Sequence, residues 1–202
     1  METIVCDWGS MHQHGPLWYD HLRVRKSVFV DDAGWNVPHT QDVEWDQYDT
    51  PLTKYVITHA LGRVLAASRL MPCDYDGPAY SYMIRDATLG RLPSIPATIA
   101  QEPCTAPGSF EATRFTVDPS LPRKVRNEAL RRNAIALMEH CDQIGAQKVF
   151  ALMPPGFVAW LRRAGLEARP GGPVTTNDAG EVFCVIECHR PFFKVTTARR
   201  PA

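Results

Sequence analysis

The chain has 202 residues, 45% hydrophobic and 22% charged, which is typical of one packed domain spanning residues 1–202 and excludes a disordered or fibrous chain. The 22 Lys and Arg residues balance the 22 Asp and Glu residues. Residues 1–120 nevertheless hold 9 basic and 15 acidic side chains, whereas residues 121–202 hold 13 basic and 7 acidic ones. The two parts thus carry net charges of −6 and +6, an asymmetry of sign that the balanced total conceals.

The chain has no run approaching the ~20 apolar residues that span a bilayer, and its first ten residues lack the pattern of a signal peptide. We therefore expect a cytoplasmic protein that does not bind membranes. The six cysteines show no CxxC spacing, so we expect free thiols rather than a metal or redox site. Cys184 and Cys188 are expected to be small core residues of one strand.

The first half of the chain predicts a helix, an acidic loop and a hairpin. Apolar spacing in residues 16–32 indicates an amphipathic helix, and an irregular acidic segment covers residues 31–51. The β-rich runs 54–61 and 63–71 indicate an antiparallel hairpin. Residues 93–108 carry four prolines and one charge, which predicts a loop or flap.

The second half alternates strands with helices and ends, from residue 194 to 202, in a tail that we expect to be loosely ordered. This alternation predicts an α/β fold, with helices packed on one sheet. In chain order the strand, helix, strand, helix and strand are expected at residues 110–117, 123–144, 148–153, 155–164 and 182–189.

Arg25, Phe29 and Trp35 form the first candidate constellation. Arg25 and Phe29 are four residues apart on one helical face, and Trp35 follows the end of the helix. A guanidinium beside two aromatic rings can hold a carboxylate while the rings enclose a flat or cationic ligand. The alternative is a helix that packs its aromatic side chain in the core and leaves its arginine in solvent.

The acidic segment contains a second constellation, Glu44, Asp46 and Asp49. Between residues 27 and 53 there are six carboxylates and no Lys or Arg, a density that requires either solvation or a matching cation. Glu44 and Asp46 share a face if the segment is extended. A solvated loop remains possible at this point, whereas the spacing is not that of an EF-hand metal site.

Two strands carry further charged residues. Arg69 ends a partly apolar strand face, where a buried guanidinium would need a carboxylate from the acidic segment or from a ligand. Glu111 and Arg114 point to opposite faces of a regular strand, so joint action would require a β-bulge or a strand end. Exposed side chains would explain the spacing of this pair equally well.

The sequence lacks GxSxG, HExxH and Walker motifs, and its histidines are scattered. A basic cluster flanks the helix of residues 123–144, but no recognition helix or base-stacking platform accompanies it, so we expect no nucleic-acid partner. The cluster consists of Arg123, Lys124, Arg126, Arg131 and Arg132.

Taken in order, these fragments resemble the acyl-homoserine-lactone synthases, the LuxI-type autoinducer synthases of bacterial quorum sensing. The motifs cover residues 20–118, and the element order extends the resemblance to about residue 190. The matching fragments are Arg25-x-x-Val28-Phe29, Trp35-x-Val37, Glu44-x-Asp46-x-x-Asp49, Ser68-Arg69-Leu70 and Glu111-x-x-Arg114-Phe115-x-Val117.

The resemblance implies a GNAT-like three-layer fold, with a V-shaped cleft in a twisted mixed sheet. It also implies a reaction between S-adenosylmethionine and an acyl thioester of acyl-carrier protein or CoA. The amine is acylated and the lactone closes with release of methylthioadenosine. Neither a cofactor nor a metal is expected, because both reactants are substrates.

The resemblance also implies residue roles. Glu111 or Glu44 would be the general base, with Glu111 preferred, and Arg69 and Arg114 would orient the acidic residues or polarise a carbonyl. S-adenosylmethionine would be bound through its carboxylate by Arg25 and through its cationic groups by the aromatic and acidic residues, namely Phe29, Trp35, Asp46 and Asp49.

The remaining implied surfaces are an acyl pocket and a docking site for the donor. The basic cluster would bind acyl-carrier protein or the phosphates of CoA. The alternatives are a GNAT-like N-acyltransferase that uses acyl-CoA on another amine, and a non-catalytic binding protein with the same fold. The acyl pocket would be lined by Phe150, Leu152, Met153, Phe157 and Trp160.

Overall fold

The computed structural model describes residues 1–75 and 79–194; residues 195–202 of the predicted tail lie outside this range. Within it, no helix combines the length and apolar character needed to cross a bilayer. The helices are α1 (Pro16–Lys26), α2 (Met83–Thr88), α3 (Arg123–Gln143) and α4 (Gly156–Arg163). The strands are β1 (Glu2–Cys6), β2 (Lys54–Ala60), β3 (Arg63–Pro72), β4 (Ser109–Val117), β5 (Lys148–Met153), β6 (Leu166–Pro170), β7 (Thr175–Thr176) and β8 (Val182–Phe193).

The strands form one mixed sheet in the order β1-β2-β3-β4-β5-β8-β6, with β7 paired to β8. The pairing between β4 and β5 is parallel, and the other described pairings are antiparallel. The parallel ladder joins three residue pairs and ends at Glu111 and Phe150. Both strands continue beyond this pair, to Val117 and Met153, without further pairing to each other. This divergence is the V-shaped cleft that the family resemblance implies.

Helices cover both faces of the sheet and give it three layers. On one face α1 packs through Leu17 and Val24 against Tyr55 and Ile57 of β2. On the opposite face Leu137 of α3 packs in a larger core with side chains of β5, β8 and α4. Successive strand residues point to opposite faces, so the alternation within each strand decides which layer its side chains join.

The predicted helices and strands are confirmed, with one change in the first helix. Regular α-helical geometry ends at Lys26, and a π-helical turn continues over Ser27–Asp32. The β2–β3 hairpin turns at Leu61 and Gly62, which both have positive φ, 49° and 76°. Four short elements were not predicted: β1, α2, β6 and β7.

Residues 93–108 form a loop that is fixed to the sheet rather than a free flap. Its short 3-10 turn, Ala97–Ile99, contains a fully buried Ile99. A Cβ added at Gly172 would lie 2.6 Å from the Ile99 carbonyl oxygen, so the chain beyond β6 approaches this loop closely. All six cysteines are free thiols, and Cys184 and Cys188 are buried, as expected.

Candidate active site

Arg25 joins α1 to the acidic segment. Its Nε donates to Glu44 Oε2 at 2.5 Å, and its Nη1 and Nη2 donate to the two carboxylate oxygens of Asp49 at 2.8 and 2.9 Å. Arg25 is 1% exposed. The side chain that the sequence suggested for the carboxylate of a ligand is therefore withdrawn from solvent and paired with two carboxylates of the protein.

Arg69 occupies an equivalent position on β3. Its Nη1 lies 2.5 Å from Asp46 Oδ1 and 3.1 Å from Asp49 Oδ2, and its Nε donates to Thr113 Oγ1 at 3.0 Å. The acidic segment thus supplies the partner that a buried guanidinium requires. The Tyr55 hydroxyl adds a hydrogen bond to Asp49 at 3.2 Å, so each carboxylate oxygen is held in a fixed position.

Arg114 completes the cluster from a β-bulge in β4. Ala67 pairs with Thr116 but Arg69 pairs with Thr113, so β4 carries one extra residue at this point. Arg114 has a φ of 53°, a conformation uncommon for residues other than glycine. The bulge that the spacing of Glu111 and Arg114 required is present, and it aims the Arg114 guanidinium at the acidic segment.

The side chains that Arg114 reaches are Glu44 and Asp46. Its Nη2 donates to Glu44 Oε1 at 3.0 Å and to Asp46 Oδ2 at 2.7 Å. Its guanidinium carbon lies 5.0 Å from the centre of the Phe29 ring, within cation–π range.

Three guanidiniums and three carboxylates therefore form a buried, electrically neutral cluster, which we call the ion-pair cluster. Burial by itself would raise the pKa of Asp46 and of Asp49, but the neighbouring arginines and the hydrogen bonds together outweigh burial and lower both pKa values, with Arg69 the largest of these contributions. Because Glu44, Asp46 and Asp49 are at most 5% exposed, the alternative of a solvated acidic loop is wrong for these three residues.

Phe29 and Trp35 form an aromatic wall beside the ion-pair cluster. Their rings stack with centroids 4.8 Å apart and planes 17° apart. Phe29 is buried, whereas Trp35 is 37% exposed, so the outer face of the wall is open to a ligand. The Trp35 indole Nε1 donates to Glu181 Oε1 at 2.8 Å, a contact between residues 146 positions apart that sequence reasoning missed.

Glu111 lies at the vertex of the cleft, in the last paired position of β4 and β5. It is fully buried and has no guanidinium within salt-bridge distance among the described residues. Its two carboxylate oxygens accept hydrogen bonds from the backbone N–H groups of Met83 and Ile84, at 2.9 and 2.8 Å. Burial raises the pKa of Glu111 to about 7, against the opposing effect of these hydrogen bonds.

The structure does not bring the five expected acyl-pocket residues together. Phe150 and Leu152 of β5 pack with α2 on one face of the sheet. Met153 packs on the other face, with Phe157 and Trp160 of α4. The five residues therefore lie on two faces of the sheet, because consecutive residues of a strand point to opposite faces, and their joint role in an acyl pocket stays a prediction.

The basic cluster lies along α3. Arg123 and Lys124 are exposed at the start of the helix. Arg131 and Arg132 are also exposed, but both pair with Glu128, at 2.9 and 2.7 Å. Arg126 is half-buried. Since β4 runs toward the wide end of the cleft and α3 follows it after five residues, the first turn of α3 lies near that end.

The chain is similar to known proteins over most of its length. The model of the "Autoinducer synthase" family matches residues 11–188. The chain belongs to this family. An acyl-homoserine-lactone synthase of Acinetobacter nosocomialis is 30% identical over 195 residues, 92% of this chain and 99% of that protein. One from Ralstonia nicotianae is 30% identical over 180 residues, 86% of this chain and 82% of its own. This autoinducer synthase is thus an acyltransferase of the acyl-homoserine-lactone synthase family.

Solved structures agree on the fold of the autoinducer synthase. TofI, in a ternary complex with an inhibitor and MTA, superposes with a TM-score of 0.72 at 23% identity and covers 94% of this chain and 91% of TofI. BjaI, a CoA-dependent acyl-homoserine lactone synthase with SAM and isopentyl-CoA, gives a TM-score of 0.72 at 19% identity, over 92% of this chain and 81% of BjaI.

Proposed function

We propose that this autoinducer synthase transfers an acyl group from a thioester of acyl-carrier protein or CoA to the amine of S-adenosylmethionine, and then closes the lactone. One observation carries the assignment of roles: Glu111, a buried carboxylate without a cationic partner among the described residues, lies where β4 and β5 diverge. A carboxylate with a pKa near 7 is suited to take a proton from an attacking amine at physiological pH.

In the first step the amine nitrogen attacks the thioester carbonyl carbon, and the carbon–nitrogen bond forms. Glu111 takes the amine proton directly or through a water, and it is favoured over Glu44 because Glu44 already accepts from Arg25 and Arg114. Backbone N–H groups of the diverging strands stabilise the negative oxygen of the intermediate. The carbon–sulfur bond then breaks, and the leaving thiolate takes the proton that Glu111 holds, which returns Glu111 to its carboxylate form.

In the second step the methionyl carboxylate attacks the carbon attached to the sulfonium. The new carbon–oxygen bond closes the lactone, and the electron pair of the broken carbon–sulfur bond converts the sulfonium into the neutral sulfur of methylthioadenosine. The exposed face of Trp35, backed by Phe29, holds the sulfonium by cation–π attraction. This attraction disappears when the charge does, which favours release of the product.

Within the ion-pair cluster we assign different roles to the arginines. Arg25 and Arg69 are 1% exposed and act as positioning residues that hold the acidic segment on the sheet. Arg114 has a side chain that is 9% exposed and lies over Phe29, so it is the guanidinium that polarises a substrate oxygen. Asp46 and Asp49 act on S-adenosylmethionine indirectly, by fixing these arginines.

We also propose that the donor docks at the first turn of α3. The exposed charges of Arg123 and Lys124 near the wide end of the cleft favour an acidic carrier protein or the phosphates of CoA. The reaction needs no cofactor or metal, because the sulfonium and the thioester are both activated leaving groups. The free thiols support a location in the reducing cytoplasm.

The test is a two-product assay. The protein is mixed with S-adenosylmethionine and a series of acyl-CoA and acyl-carrier-protein donors, while free thiol and methylthioadenosine are measured together. Equal amounts of both products are expected with at least one donor. Thiol released without methylthioadenosine would identify an N-acyltransferase that uses another amine. Absence of both products with every donor would support a binding protein instead.

A further inference from the structure

The turn between β7 and β8 contacts the aromatic wall from the far side of the site. Glu181 accepts the hydrogen bond from Trp35 through Oε1, and its Oε2 accepts one from Asn177 Nδ2 at 2.7 Å. The Glu181 backbone N–H donates in return to Asn177 Oδ1 at 2.9 Å. Glu181 is therefore held by its own turn while it holds the indole of Trp35.

The same turn contacts the loop of residues 93–108. Asn177 Nδ2 lies 3.4 Å from the Ser94 carbonyl oxygen, and this loop is anchored by the buried Ile99. The position of Glu181 thus does not depend on an isolated hairpin tip. Three segments that are distant in sequence meet at the edge of the aromatic wall, where Trp35 is exposed.

The second relevant property of Glu181 is its negative charge. The ion-pair cluster is neutral and buried, so it offers little net attraction to a cation. Among residues 1–75 and 79–194, no Lys or Arg forms a salt bridge with Glu181, and the side chains bonded to it, Trp35 and Asn177, are neutral. Its exposed carboxylate is therefore an uncompensated negative charge next to the ring proposed to bind the sulfonium.

We propose that Glu181 is a positioning and specificity residue for S-adenosylmethionine: it fixes the Trp35 indole over Phe29 and supplies the negative charge at the entrance of the site. This inference rests on the proposed function. Its first effect acts through Trp35, by preorganising the ring that contacts the cation. Its second acts directly on a substrate that carries a sulfonium, an ammonium and a single carboxylate. Both effects concern binding and leave the chemical steps unchanged.

The test separates the two effects by steady-state kinetics at a saturating acyl donor. Glu181→Ala removes hydrogen bond and charge, and is expected to raise the KM for S-adenosylmethionine about tenfold with kcat changed less than about twofold. Glu181→Gln keeps an acceptor for Trp35 but loses the charge, and is expected to raise this KM about threefold. In a Trp35→Phe background, where the indole donor is absent, Glu181→Ala is expected to add only about threefold.

Asp178→Ala is the matched control, because Asp178 is an exposed carboxylate of the same turn without a hydrogen bond to Trp35. It is expected to leave the KM unchanged. A KM within twofold of wild type for Glu181→Ala, an equal rise for Asp178→Ala, or a loss of kcat at unchanged KM would each overturn the inference. The proposed function fails separately, if the wild-type protein itself releases no methylthioadenosine.

Discussion

The ion-pair cluster and the face of α3 use the same residue types in opposite surroundings. In the cluster, Arg69 is 1% exposed and its carboxylate partners are equally buried. On α3, the side chains of Arg131 and Arg132 are 44% and 47% exposed and share one carboxylate, Glu128. Buried charges cannot exchange their partners for water, whereas exposed charges can, so the first region fixes geometry and the second remains available for binding.

The same comparison bears on the difference in net charge between the two halves of the chain. The ion-pair cluster adds nothing to the acidic excess of residues 1–120, because its three arginines and three carboxylates all lie in that half of the chain. The basic excess of residues 121–202 includes charges that the fold leaves in solvent. Removing a partner should therefore damage the fold in the first region and affect only association in the second.

The largest effect is expected for Arg69→Ala. The substitution leaves Asp46 and Asp49 with an uncompensated buried charge, which costs about 3–5 kcal/mol of unfolding free energy. We expect turnover to be abolished, and the same for Asp46→Ala. Chemical denaturation and the two-product assay measure the two outcomes.

The control for this prediction is Arg63→Ala on the same strand. Arg63 is exposed and pairs with Asp118, so its loss should cost less than about 1 kcal/mol. If Arg69→Ala and Asp46→Ala both retained near-native rates and stability, the role assigned to the cluster would be refuted.

A second prediction concerns Glu111, the buried carboxylate without a guanidinium partner among the described residues. Its pKa is raised to about 7, so the carboxylate form that accepts a proton accumulates as the pH rises through 7. We expect kcat/KM to rise with pH and to level off above that value. Glu111→Gln should remove this inflection and lower kcat by about 10²–10⁴-fold.

Glu102 is an exposed carboxylate in the loop of residues 93–108. The variant Glu102→Gln is therefore the control for Glu111→Gln and should keep the wild-type pH profile. A Glu111→Gln variant with the wild-type profile would assign the base to another group, and Glu44 would then be tested in the same way.

The smallest effect is expected on α3. Charge reversal at Arg123 and Lys124 should raise the KM for the acyl donor about tenfold at low salt, while the KM for S-adenosylmethionine and the unfolding free energy stay unchanged. Reversal of Arg131 and Arg132 should raise the donor KM less, because Glu128 already neutralises part of their charge. Equal, unchanged constants for both double variants would mean that the donor docks elsewhere.

Sequence reasoning located most elements because their signals are local. Apolar periodicity identified α1 and α3, and the paired β-rich runs identified the β2–β3 hairpin. Short edge elements such as β1 and β6 have five residues each and carry little periodicity. They exist because neighbouring strands pair with them, which is a tertiary effect on weak local preference.

The residues of the candidate site show the same difference between local signals and tertiary contacts. Residue type and charge density indicated that Glu44, Asp46 and Asp49 need cations, but not that Arg25 is one of them rather than a ligand-binding residue. The contact of Trp35 with Glu181 has no local signature, because 146 positions separate the two residues. The placement of Phe150 and Met153 on opposite faces of the sheet, by contrast, was readable from strand alternation in the sequence.

The β2–β3 turn has a consequence for how much mutational damage the enzyme tolerates. Leu61 is fully exposed, yet its φ of 49° places a branched side chain in a conformation that costs about 1–2 kcal/mol and that asparagine adopts more readily. The turn lies at one end of a hairpin whose opposite end carries Arg69. A substitution at Leu61 that relieves this strain would therefore raise the free energy of unfolding. That gain could compensate for destabilising substitutions near Arg69.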